Sequence, residues 1–189
     1  MKITVKQLTQ TALLLALCIL SQYFKNLSVY ITGPIVNAIL IIATLAIGLF
    51  AGITISIIAP ITAFFFTGSP IMAAIPLMFP VVMLGNIIIV LCTYYFEKKM
   101  TFKGHLPVGL VVGSVTKAVF MGVVIVLILL PLFGDNIASH LPKPEALPKI
   151  LATAKVTFSV TQLVTALIGS LLAWLIWLRL ERVLNKNME

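Results

Sequence analysis

From Asn26 to Phe96 the chain runs for 71 residues without an Asp, Glu, Lys, Arg or His. Such a run cannot be the wet, charged surface of a nucleic-acid binder, and at roughly 20 residues per crossing it is long enough for three membrane spans. Acids are scarce everywhere. Asp135 and Glu145 are the only ones between Glu97 and Glu181. Both fall in one polar connection, so no carboxylate inside a helical run is available as a proton or sodium relay. The two cysteines, Cys18 and Cys92, have no CxxC spacing and no neighbouring His, and they read as buried core thiols. There is no GxxxxGK[ST] phosphate loop, no HExxH and no GxSxG, so nucleotide hydrolysis, zinc peptidase chemistry and the hydrolase elbow have no signature here. No catalytic residues, metal ligands or cofactor site are expected.

What is present is apolar. The composition is 61% hydrophobic and 10% charged, with 13 Lys+Arg against 5 Asp+Glu. The cations sit at the edges of the apolar runs, so the basic balance points to a lipid bilayer and away from nucleic acid. The chain reads as an all-α integral membrane protein, a single domain over 1–189 forming a compact bundle of six transmembrane helices. These are expected at about 8–24, 34–49, 53–66, 76–96, 107–131 and 156–178. The first follows a short basic start that imitates a signal peptide, but it lacks a small-x-small cleavage site and reads as a retained helix. Pro34 is placed at the start of the second helix and Pro80 in the first turns of the fourth, where a missing N–H matters least. Gly48 and Gly52 bracket a turn, and Thr67 to Pro70 form another. The segment 133–155, with Asp135, His140, Pro142, Pro144, Glu145 and Pro148, reads as one long polar connection, either a solvated linker or a lid over a site.

Orientation follows from charge asymmetry. With the N-terminus in the cytoplasm, that side receives Lys2, Lys6, Lys98, Lys99, Lys103, Arg179, Arg182 and Lys186, against Lys25, Lys143, Lys149 and Lys155 outside. Both termini are therefore expected in the cytoplasm of a cell-membrane protein.

One cation breaks the edge rule. Lys117 falls near the middle of the fifth helix, where insertion costs about 2.5–3.5 kcal/mol, so it should face a cavity or a partner. With no helical acid to pair with, an anionic or carbonyl-rich ligand would suit it; a backbone-paired structural lysine is the alternative. Asn86 lies at similar depth, and Gln22, Asn37 and Gln162 occupy the outer parts of helices one, two and six. Each amide alone fits an interhelical hydrogen bond, but together they grade from the outer surface towards Lys117, as in a pocket that opens outwards. Tyr30, in the first outer loop, either joins them or is an interfacial aromatic, the reading that Trp174 and Trp177 take. Two pairs of small residues, Ala12 with Ala16 and Gly109 with Gly113, stand one helical turn apart and would admit another helix closely, in this chain or in another subunit.

The segment TQTALLLAL from Thr9 to Leu17, its short basic start, six compact helices and a long fifth loop together resemble the substrate-binding S-component of energy-coupling factor (ECF) vitamin transporters. The AxxxA motif of that family corresponds to Ala12 and Ala16. The resemblance implies a high-affinity capture subunit for a vitamin-like small molecule. Such a subunit docks through Ala12 and Ala16 on a membrane coupling subunit, which two cytosolic ATPase subunits drive. It also implies a substrate pocket in the outer halves of the later helices, where Asn86, Lys117 and Gln162 fall. Two other readings stay open on the residues alone: a stand-alone ion-coupled transporter or facilitator, and a membrane enzyme or assembly protein working through Asp135, His140 and Glu145.

Overall fold

The computed structural model describes residues 3–24, 28–101, 104–139 and 144–186. Lys2, Lys25, Lys103, His140, Pro142 and Lys143, which carry parts of the expectations above, lie outside them. Eight helices occur among the described residues: α1 (Val5–Tyr23), α2 (Val29–Ala46), α3 (Leu49–Thr67), α4 (Pro70–Ala74), α5 (Met78–Lys99), α6 (His105–Leu132), α7 (Gly134–Ser139) and α8. The last is continuous through Leu147–Val156, a π-helical Thr157–Thr161 and Gln162–Lys186. Five of them, α2, α3, α5, α6 and α8, are long and apolar enough to cross a membrane.

Six helices were expected, and the eight found are six long ones with the short α4 and α7 added. The short α4 and α7 were hidden by their turn-like composition, Pro70 standing at the first position of α4. α1 has the length of α3, but Lys6, Gln7, Gln10 and Gln22 dilute its apolar run and leave it outside the five. The 133–155 segment is not one polar connection, because α7 fills its start and α8 begins at Leu147 with Pro148 in its first turn, where proline is tolerated.

The helix limits move for local reasons. Ser28 accepts from the Tyr30 N–H and caps α2 well before Pro34, which falls inside the helix. Of the glycines expected to bracket the next turn, Gly48 does so at φ 131°, a conformation open to glycine, whereas Gly52 is inside α3 against Thr44 and Val90. Glu97, Lys98 and Lys99 form the last turn of α5, where lysines complement the helix dipole.

The bundle is organised around α2, which packs on α1, α3, α5 and α8, while α6 bridges α5 and α8. Leu40, Ile41, Ile55, Ile89, Val90 and Leu110 are fully or almost fully buried where these helices meet. Large apolar side chains cover the outside, among them Phe65, Leu127 and Val160, and an apolar exterior of this extent calls for lipid. Glycines set the close approaches. A Cβ at Gly169 would fall 2.6 Å from the backbone oxygen of Pro34, so α8 and α2 touch there only because the side chain is missing. Gly109 and Gly113 face Phe96 and Cys92 on α5, so this small pair is used inside the chain. Ala12 and Ala16 are both exposed, on the side of α1 away from the bundle, beside Leu13, Leu17 and Leu20. Trp177 is buried in the core, a correction to its reading as an interfacial ring.

Candidate functional site

The opposite directions of consecutive helices bring one end of each to a common place. The start of α2, the end of α3, the start of α5, the middle of α6 and the start of α8 surround a cavity of about 550 Å³, within the usual range for small-molecule sites. Val29, Thr67, Ser69 and Lys149 mark its mouth, and Asn37, Asn86, Lys117 and Thr165 its floor. Between them the wall is mostly apolar, with Val36, Ala63, Met72, Val82, Ile150 and Phe158 among threonines.

Lys117 lies roughly 18 Å along α6 from His105, at 1.5 Å per residue. It is buried, and its Nζ donates to Asn37 Oδ1 at 2.6 Å and to Asn86 Oδ1 at 2.9 Å. An ammonium only donates, so each amide must turn its oxygen towards Lys117 and its nitrogen away. Asn37 Nδ2 donates to the Gly33 carbonyl at 3.0 Å. The Asn86 nitrogen has no protein acceptor among the described residues. It is not sealed in protein either, because no buried side-chain nitrogen or oxygen there lacks a partner; it opens on the cavity that Asn86 lines. The third N–H of Lys117 is similarly unused.

Gln162 borders the cavity with no hydrogen bond from its side chain to the protein. Its position depends on the π-helical turn just before it. At about 100° per residue, an unbroken α-helix would swing Gln162 about 130° from the face that carries Ile150, Thr153, Ala154 and Thr157. The extra residue of a π turn returns it to within about 30° of that face. The second π-helical stretch, Gly122–Leu129 of α6, packs against this turn, with Gly122 facing Ser159.

Gln22 also borders the cavity, but both ends of its amide are engaged. Nε2 donates to the Ala59 carbonyl at 3.0 Å, and Oε1 accepts from Thr62 Oγ1 at 2.6 Å, which ties α1 to α3. Tyr30 does not line the cavity. Its ring is more than half exposed, with the hydroxyl 3.4 Å from Thr161 Oγ1. Sequence reasoning missed Lys149, whose α-helical setting was hidden by the prolines around it. It also missed Thr32, Thr67, Thr153, Thr157 and Thr165, since threonine is ordinary in membrane helices. A Cβ on Gly33 would meet Thr165, a contact that single residues do not advertise.

No acidic side chain lines the cavity, and no group of three His, Cys, Asp or Glu that would hold a metal occurs among the described residues. This geometry defines a helical membrane protein with an internal compartment for a small molecule. The chain belongs to the family of ECF transporter substrate-specific components, whose family model matches residues 6–181. Members of that family bind small substrates for transport, work with an ECF module and are not enzymes. Neither the curated proteins nor the solved structures contain a match to this chain.

Proposed function

We propose that the chain is the high-affinity substrate-binding subunit of an importer for a vitamin or similar micronutrient, working with a separate membrane coupling subunit and two cytosolic ATPase subunits. The observation that carries this reading is the Lys117, Asn37 and Asn86 cluster at the base of the cavity, with donors left over. A buried lysine inside an apolar bundle is disfavoured unless it is paired or functional, and here its only partners also open on the compartment. Lys117, Asn86, Gln162 and Asn37 bind the substrate, and Gln22 braces the wall. Tyr30 stands outside the lining and pairs with Thr161.

On this reading α1 completes a six-span bundle in the cell membrane. The Gln7 side chain donates to the Ile47 carbonyl at 3.5 Å, which puts the start of α1 at the end remote from the cavity. Lys6, Lys98, Lys99, Arg179 and Arg182 cluster at that end, against Lys149 and Lys155 on the part of α8 that borders the cavity. The remote end is therefore cytoplasmic by the positive-inside rule, both termini lie on that side, and the cavity opens outwards. Ala12 and Ala16, small and unused by this chain, form the docking face for the coupling subunit. A stand-alone ion-coupled carrier is less well supported, because no carboxylate that could relay an ion lines the cavity among the described residues.

Purification from native membranes under mild detergent tests the reading. A membrane partner and ATPase subunits should accompany the chain, and liposomes holding the chain alone should show no uptake of the molecule released from it. Uptake by the chain alone would overturn it.

A further inference from the structure

The hydrogen-bond arrangement at the floor restricts what can sit on it. Lys117 uses the side-chain oxygens of both Asn37 and Asn86 as acceptors, so what those groups still offer the cavity is N–H. The remaining ammonium N–H, the Asn86 amide nitrogen and the second N–H of Asn37 all seek an acceptor. Thr165 already donates its hydroxyl to the Thr161 carbonyl. A group that itself needs to donate finds no free acceptor on Lys117, Asn37 or Asn86, and a cation meets an ammonium with no carboxylate among the described lining residues to offset it.

Above the floor the wall is mostly aliphatic, interrupted by threonine hydroxyls, and among the described residues Phe158 is the only aromatic side chain that lines the cavity. A broad aromatic ligand would lack the facing rings on which such rings stack. At the mouth stands a second cation, Lys149, an exposed residue in the first turns of α8. Both ends of the compartment are thus basic, and its middle is mostly apolar with neutral hydroxyls.

From these features we infer that the substrate is a small organic acid with a largely aliphatic body, held with its carboxylate, or an equivalent anionic group, down on Lys117 and Asn86. Lys149 draws the anion towards the mouth, and the floor makes the specific contacts. The inference rests on the reading of the cavity as the transport site.

Two measurements test it. The first identifies by mass spectrometry the small molecule released when the subunit is purified from its own membranes; an organic acid is expected. A neutral or cationic molecule would overturn the anion assignment and leave the binding-subunit reading standing. No released molecule, with no response to any probe below, would remove that reading and this inference with it.

The second is a thermal-shift and calorimetric comparison of acids with their uncharged counterparts: lipoate with lipoamide, pantothenate with panthenol, nicotinate with nicotinamide, and thiamin as a cation. Among the probes that bind, the acid should be favoured about tenfold or more over its neutral counterpart, the value of one charge-assisted hydrogen bond. Asn86→Asp should fold as the wild type does, because its carboxylate accepts from Lys117 where the amide oxygen did. It should still lose the acid by about a hundredfold or more, since it replaces donors with a like charge. Equal binding of acid and neutral forms, or an acid preference that survives in Asn86→Asp and in Lys117→Met alike, would overturn the inference.

Discussion

The two ends of the bundle contain buried polar groups of similar number and opposite use. At the closed end Thr44, Ser56 and Thr93 each donate to the carbonyl one turn back, and Ser114 and Ser170 meet across α6 and α8 at 2.9 Å. Every donor there has an acceptor, and glycines and alanines bring the helices into contact. At the cavity end donors of Lys117 and Asn86, and both ends of the Gln162 amide, have no protein partner among the described residues. Membrane glue and a ligand site draw on the same residue types; what separates them is whether the protein completes its own hydrogen bonds.

The contrast is broken most severely at the seam between the two ends. Gly169→Leu drives a side chain into Asn37 and into the Pro34 backbone, which cannot move aside as a flexible side chain can. Overpacking of this kind costs about 3 kcal/mol or more. The variant should lose its monodisperse folded species in size-exclusion chromatography, and a normal melting profile would show that α2 and α8 are not locked there.

The next effect falls outside both ends. Ala16→Leu on the outward face of α1 should abolish ATP-dependent transport in the assembled complex while the isolated subunit binds its substrate as before. Equal loss of binding would place that face in the internal packing. A matched substitution on the other small pair, Gly113→Leu, should behave oppositely and damage the fold, since Gly113 already faces Cys92 and Ile89.

The smallest effect belongs to the closed end. Ser114→Ala removes two neutral hydrogen bonds, to the Leu110 carbonyl and to Ser170, so chemical denaturation should report a loss of about 1–3 kcal/mol with affinity unchanged. A change in affinity would mean that the two ends are coupled.

How far the sequence revealed this division depended on the energetic cost of each group. Lys117 and Asn86 stood out because a charge and an amide at mid-depth are costly in lipid, and Asn37, Gln22 and Gln162 followed by grading towards them. All five border the cavity. Tyr30 does not line it, since the residue falls in the first turn of α2 and not in a loop, and its side chain is turned outwards there. The register of Gln162 was illegible, because one extra residue in a π turn leaves no compositional trace. The lining threonines were hidden by their abundance. In the fold, five apolar helices were plain from their runs, while prolines at Pro70 and Pro148 read as loop when they begin helices.

The central claim is that Lys117 meets the substrate, whereas polar groups at the closed end only hold helices together. Isothermal titration of the isolated subunit with the molecule it releases on extraction tests this most directly, with Lys117→Met beside Ser114→Ala and the wild type. The account predicts binding about ten- to hundredfold weaker in Lys117→Met, the loss of one charged hydrogen bond, and wild-type affinity in Ser114→Ala. Wild-type affinity in a folded Lys117→Met would contradict it, making the lysine one more structural group.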